Sequence, residues 1–196
     1  NIADPAYASM DATAISYMYQ RGLDMQAAAN LAATVAEALR PNSTVDSVCQ
    51  AALDTAPDGP LHTFDDRPFR TFREYLETCL EVAEKYNDVL AVREELYRRC
   101  LLYHMIDPLE LWGFSLAMFL VSGGDVRQAA IGGTNVGRDS DTISGRAAML
   151  AGTLRGSSSV PADWMAMFRP EVLEKIRVNA KRLAALVAGP KVEILK

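Results

Sequence analysis

Asn135-Val136-Gly137-Arg138-Asp139-Ser140-Asp141-Thr142 packs two carboxylates and a hydroxyl into its last four residues, just before an apolar run. Mg²⁺ and other hard cations take carboxylate, hydroxyl and water oxygens. Asp-x-Asp aims both carboxylates at one point where the backbone is extended or turning. Thr142 adds a third oxygen. The same residues also suit a helix start, because Asp and Ser are favoured N-caps and an acidic first turn complements the helix dipole. Gly132, Gly133 and Gly137 lie just upstream, where glycine serves a tight bend or a close backbone approach, so residues 132–142 are expected to form a metal-type loop. Downstream, residues 143–154 read as a helix carrying small residues (Ser144, Gly145, Ala147, Ala148, Ala151 and Gly152) suited to close helix packing. Gly156, a short serine run and Pro161-Ala162-Asp163-Trp164 follow.

Working outward, the pattern is helical almost throughout. Asp4-Pro5 is a cap followed by proline at the first helical position, opening a helix to about residue 19. Asp24 is expected to cap 25–39, which Pro41 stops, and Ser43 to cap 44–53. Residues 55–70, rich in proline and aspartate, read as a long loop. Helices are expected over 71–86, whose Phe72, Tyr75, Leu76 and Leu80 share one face, and over 89–103. Asp107-Pro108 opens a nearly uncharged helix to residue 121, apolar around its circumference and therefore expected at the centre of a bundle. Asp125 starts a short helix to about residue 131, and Pro170 opens the last, to residue 188. No stretch alternates with period two for long enough to make a sheet, so the fold class is all-α.

Composition sets the broad class. The chain has 196 residues, 49% of them hydrophobic and 23% charged, which is ordinary for one globular domain. The formal net charge of -5, with scattered Lys and Arg, leaves no electrostatic footprint for nucleic acid or an anionic membrane. No apolar run is long enough to span a bilayer. Cys49, Cys79 and Cys100 are odd in number, sit in helix-like patterns without metal-ligand spacing, and read as buried free thiols in a reducing compartment, hence a cytoplasmic location.

The segment from Asn135 to Thr142, the small-residue helix, Gly156 and Pro161-Ala162-Asp163-Trp164 together resemble the carboxy-terminal signature of the ADP-ribosylglycohydrolase family. The resemblance extends back through Glu110-Leu111-Trp112-Gly113 and Gly123-Gly124-Asp125 to Ala3-Asp4-Pro5, and is weak over about 54–103. It implies an all-α orthogonal bundle of which this chain, residues 1–196, forms the second half. It also implies a Mg²⁺-dependent hydrolase that cleaves the bond between ADP-ribose and an acceptor side chain. Asp139, Asp141 and Thr142 are the implied metal ligands, for two Mg²⁺ ions or Mn²⁺ in their place. Asn135, Gly137, Arg138 and Trp164 are the implied substrate-binding residues, and Arg146 joins them as a candidate on its own chemistry. Gly137 and Arg138, with the amides around them, suit a diphosphate at the following helix N-terminus. The family's first half carries an Asp-Asp-Thr-type motif and an acidic catalytic residue, and no Asp-Asp-Thr occurs here, so the catalytic acid is left without a name. The implied partner is a first half of the same fold, either absent from a shortened sequence or present as a separate processed chain. Asn1 is not an N-terminal nucleophile, which needs Ser, Thr or Cys.

Two departures bear on substrate. Ala148 stands where the family helix usually has glycine, and the positions around Met18 and Tyr19 lack a histidine that many members carry. The second keeps open a related hydrolase acting on a small nucleoside-like or glycosylamine metabolite. A non-catalytic structural protein on the same fold, like certain lens crystallins, is the third reading. Retention of Asp139, Asp141 and Thr142 disfavours it, since a structural protein has no reason to hold carboxylates together against their repulsion. Arg146, one turn past Thr142, occupies a usually apolar position and either forks onto a phosphate or carboxylate or lies on a solvated surface. The remaining candidates favour structural roles. Asp65-Asp66 reads as a solvated turn, His62 and His104 as surface or capping residues, and Trp112 and Trp164 as packing residues, with Trp164 also placed to line a site. Met10, Tyr17, Met18 and Tyr19 are expected in the core.

Overall fold

The computed structural model describes residues 3–61 and 68–188, the last three by backbone alone. His62, Asp65-Asp66 and Asn1 lie outside the described residues. Among the described residues ten α-helices follow one another: α1 (Pro5–Ser16), α2 (Gly22–Ala38), α3 (Val45–Asp54), α4 (Phe72–Ala83), α5 (Arg93–Cys100), α6 (Pro108–Val121), α7 (Val126–Asn135), α8 (Ser140–Arg155), α9 (Ala162–Met165) and α10 (Pro170–Ala188). No strand forms among the described residues; the sole extended pairing there is a bridge between Pro60 and Thr71 at the ends of the proline-rich loop.

The architecture follows from α6. Its side chains from Leu109 to Phe119 are all buried, and it packs against α2, α3, α4, α7 and α8. Trp112, Phe114, Leu116, Met118 and Phe119 radiate from it into a single core with Tyr75, Leu76, Leu96, Ile143 and Leu150. Burying side chains of this size is the main favourable term, roughly 1.5–3 kcal/mol each. Two polar groups locate α6 within this apolar shell. Trp112 Nε1 donates to Asn30 Oδ1 at 2.6 Å, and Asn30 Nδ2 donates to the Ala52 carbonyl at 2.8 Å and to Thr55 Oγ1 at 2.9 Å. One buried amide on α2 thus joins α2, α3 and α6 with each hydrogen bond satisfied. Tyr75 on α4 donates to the Cys100 carbonyl at 2.8 Å, tying α4 to the end of α5.

Local signals place most helix starts. Asp4 accepts from the amides of Ala6 and Tyr7, with Pro5 at the first helical position, and Asp125 caps α7 through the Gln128 amide. Several boundaries differ from the expectation. α2 begins at Gly22, so Asp24 lies inside its first turn instead of capping it. Thr44, not Ser43, caps α3, in a reciprocal capping box with Ser47, while the Ser43 hydroxyl donates back to the Glu37 carbonyl. α5 starts at Arg93 because residues 89–92 form turns. Met10, Tyr17, Met18 and Tyr19 are not core residues: they are 59–80% exposed along α1 and just beyond it. A one-helix pattern cannot tell a face that packs on the core from one left in solvent.

The largest correction concerns residues 132–142. α7 continues through Gly132 and Gly133 to Asn135, and the break between helices is only 136–139. Gly133 serves close approach, since a Cβ there would lie 2.7 Å from the Ser144 backbone nitrogen on α8. The Ser144 hydroxyl donates to the Ala130 carbonyl at 2.9 Å across the same contact. Gly133→Ala is expected to destabilise the fold by about 2 kcal/mol or more through overpacking of backbone on backbone. Gly145→Ala, at an α8 position with nothing within 4 Å, is expected to stabilise by up to ~1 kcal/mol. Urea denaturation of the two variants checks both signs.

The three cysteines are buried and unpaired, as expected. Burial, with the carboxylates of Asp46 and Glu84 nearby, pushes the Cys49 thiol up to about 12. Ellman's reagent at pH 8 should therefore leave all three thiols unmodified until the protein is unfolded. Because the folded value lies above the ordinary 9.0, the stability that the protonated Cys49 thiol contributes is intact below pH 9 and is lost as pH rises towards 12.

Candidate functional site

The connection from α7 to α8 is a sharp backbone reversal held from two sides. Gly137 and Arg138 both adopt positive φ, 78° and 61°. Glycine accepts that region freely, whereas an arginine there carries strain of roughly 1–2 kcal/mol. Tyr97 on α5 donates to the Val136 carbonyl at 2.6 Å, and Arg93 Nε donates to the same oxygen at 3.3 Å. A Cβ at Gly137 would stand 3.1 Å from that tyrosine oxygen.

The second hold is ionic. Arg138 Nε donates to Glu110 Oε1 at 2.6 Å, and its Nη2 donates to Glu110 Oε2 at 3.1 Å and to the Leu102 carbonyl at 2.8 Å. Glu110 Oε2 also accepts from the Leu102 amide at 2.7 Å. The Glu110 side chain is fully buried and that of Arg138 is 20% exposed, so this two-pronged pair lies in a weakly polar setting where each oxygen is satisfied. Glu110 beside it raises the pKa of the Arg138 guanidinium. Sequence reasoning assigned Arg138 to a diphosphate. The structure turns its guanidinium inward onto Glu110 instead, and the Val136 and Gly137 amides donate back to carbonyls of α7. One signal in the sequence pointed to this partner: Glu110 is the single charged residue in an otherwise uncharged helix, and a buried carboxylate needs a counter-charge.

That reversal delivers Asp139 to the N-cap position of α8, with Asp141 and Thr142 in its first turn. Asp139 makes no side-chain cap hydrogen bond, although its carbonyl accepts from the Ile143 amide at 3.1 Å. Among the described residues the side chains of Asp139, Asp141 and Thr142 have no hydrogen-bond or ion-pair partner, so their oxygens remain free for a cation. Their chemistry fits a hard divalent ion. No group of three or more His, Cys, Asp and Glu side chains gathers at metal-holding distance among the described residues.

The expected substrate residues divide. Arg146, two turns along α8 from Asp139, lines a cavity of about 300 Å³ shared by α1, α2, α6 and α8, together with Asp24, Tyr19 and Trp112. Asn135 and Trp164 line a separate, open groove with Leu90, Ile131 and Thr134. There Arg127 lies 4.8 Å above the Trp164 ring and pairs with Asp163, which lowers the Asp163 pKa. Sequence reasoning missed Asp24, Tyr97 and Arg93, whose roles arise only when distant helices meet. His104 lies in an exposed turn and Trp112 in the core, as expected.

A model of the ADP-ribosylglycohydrolase family matches residues 3–192, nearly the whole chain. The protein belongs to this family, and its all-α fold agrees with that membership. Comparison with curated proteins and with solved structures gave no match. No helix among the described residues is long and apolar enough to cross a membrane.

Arg138→Met leaves Glu110 buried without its counter-charge and is expected to destabilise by about 3 kcal/mol or more. Adding Glu110→Gln should recover part of that loss, because the neutral amide still accepts from the Leu102 amide. A double-mutant cycle by chemical denaturation measures the coupling.

Proposed function

We propose that the protein is a Mg²⁺-dependent hydrolase of the glycosidic bond between ADP-ribose and an acceptor side chain. One observation carries this reading. Asp139 occupies a helix N-cap position without a side-chain cap, and neither it nor Asp141 nor Thr142 spends its side-chain oxygens on another described residue. Side-chain capping therefore does not account for Asp139, which supports reading the acidic pair as metal ligands, while Asp141 in the first turn also complements the helix dipole.

Asp139, Asp141 and Thr142 would hold the metal. A Mg²⁺ ion held there would supply Lewis-acid polarisation and activation of a water. The chain's own residues set up that chemistry. The Glu110–Arg138 pair fixes the reversal that aims Asp139 and Asp141, and the free amides at the start of α8 favour an anionic group of the substrate. Three side-chain ligands, each giving one oxygen, are fewer than octahedral coordination of one Mg²⁺ requires. Water, the substrate and the Asp-Asp-Thr-type motif of a first half of the fold would complete the set. The acidic proton-transfer residue belongs to that complement.

Asp139→Asn and Asp141→Asn should each weaken Mg²⁺ binding by roughly 10–100-fold, the scale on which even indirect metal-site contacts act, with helical circular dichroism unchanged. Isothermal calorimetry reads this, and unaltered affinity in both variants would return the motif to a helix start. ADP-ribose with Mg²⁺ should stabilise the fold by about 2.7 kcal/mol at roughly 100 times its Kd. Hydrolysis is assayed on ADP-ribosylated arginine and serine peptides, with this chain alone and with a first-half polypeptide added. Equal stabilisation by a nucleoside lacking the diphosphate would favour the small-metabolite reading. No stabilisation by either would favour the structural one.

A further inference from the structure

Arg146 is the one arginine of α8 placed at the cavity between α1, α2, α6 and α8, and its guanidinium makes no hydrogen bond or ion pair to a described residue. It is half-buried, and burial lowers its pKa while the more distant Asp139 opposes that shift. Taking a cation part-way out of water without a partner is unfavourable, and a guanidinium is satisfied best by a planar oxyanion that its fork can grip. The cavity wall offers neutral donors and acceptors in Ser16, Tyr19 and Gln20, one carboxylate in Asp24, and the apolar face of Trp112. A volume of about 300 Å³ falls at the lower end of the range for small-molecule sites. Asp24 repels an anion from the α2 wall, so an oxyanion entering the cavity is directed to the α8 wall.

Helix geometry relates Arg146 to the motif at the start of α8. Arg146 follows Thr142 by four residues, one turn further along the same stripe of α8 and about 6 Å along the axis. That spacing is comparable with one sugar ring and its first substituent. We propose that Arg146 makes this cavity the subsite for a phosphate carried on the sugar, as a monoester or a diphosphate, one helical turn beyond Thr142 and two beyond Asp139. Arg146 then sets the preference for phosphorylated over neutral glycosyl ligands. The assignment rests on the reading of those three residues as the end of the site that holds the ribose. It moves the anion-gripping cation from Arg138, which is committed to Glu110, to Arg146.

The test is calorimetric titration of the full chain with ribose, ribose 5-phosphate and ADP-ribose, with and without Mg²⁺. Arg146→Met should weaken ribose 5-phosphate and ADP-ribose by roughly ten-fold or more, as expected for loss of charge-assisted hydrogen bonds, and leave ribose unchanged. Arg146→Lys, which keeps the charge and loses the fork, should fall between. Its circular dichroism and that of Arg146→Met should match the parent. Loss confined to ADP-ribose assigns the subsite to the diphosphate, and equal loss for both ligands assigns it to the monoester oxyanion. The proposal is overturned if the parent binds neither phosphorylated ligand, if Arg146→Met binds them as the parent does, or if ribose is lost in parallel. Arg146-dependent phosphate binding without any Mg²⁺ effect, and without hydrolysis even when a first-half polypeptide is added, would refute the hydrolase reading and leave this subsite standing. Mg²⁺-dependent hydrolysis insensitive to Arg146 would do the reverse.

Discussion

The buried pair of Glu110 and Arg138 is the interaction on which the rest of the site depends. α6 is apolar because it occupies the centre of the bundle, and a carboxylate there is tolerable only with a counter-charge and full hydrogen bonding. Arg138 supplies both from a loop that has no regular secondary structure to hold it. The exchange works in both directions. Glu110 obtains neutralisation, and the loop obtains an anchor rigid enough to keep a non-glycine residue at positive φ. The same anchor reaches the chain entering α6, because Leu102 gives its amide to Glu110 and its carbonyl to Arg138. Two neighbouring segments and a loop 28 residues further on are set by one pair of side chains.

Asp139 and Asp141 sit just beyond this anchor, and their freedom follows from it. A carboxylate at an N-cap ordinarily turns back onto its own helix. At Asp139 the backbone dihedrals of φ -84° and ψ 68° differ from the extended values at Asp4, Thr44 and Thr71, where side-chain caps do form. The reversal at Gly137 and Arg138 therefore imposes a helix entry that leaves the aspartate side chain uncommitted. Local geometry, set from a distance by a buried ion pair, decides whether an acidic residue stabilises a helix or remains available to a ligand.

What the sequence conveyed follows the range of the forces involved. Helix starts with Asp-Pro or a reciprocal hydroxyl are local, so α1 and α6 were legible from a few residues, and the circumferential apolarity of α6 announced its central position. The extent of α7 was not legible. Gly132 and Gly133 suggest a loop when read alone, and only the close passage of α8 at Ser144 explains glycines inside a helix. The exposed aromatic and methionine side chains of α1 were misplaced for the complementary reason, because amphipathic spacing does not say which face finds a partner. In the site, Asp139, Asp141 and Thr142 were visible as a motif, whereas the commitment of Arg138 to Glu110, 28 positions away, required the folded chain.

The backbone at Arg138 also restricts how this position can change over evolutionary time. Glycine relieves its positive φ and asparagine tolerates it, as Asn42 does, yet either would strand the buried Glu110; most other side chains keep the strain and abandon the ion pair as well. A neutral residue at 110 would in turn orphan the arginine and loosen the reversal. Positions 110 and 138 are therefore joined in a valley of unfit intermediates, where single steps from either side lead downhill. Such a pair is expected to drift only together, and to persist in a lineage even after the chemistry beside it has been altered or lost.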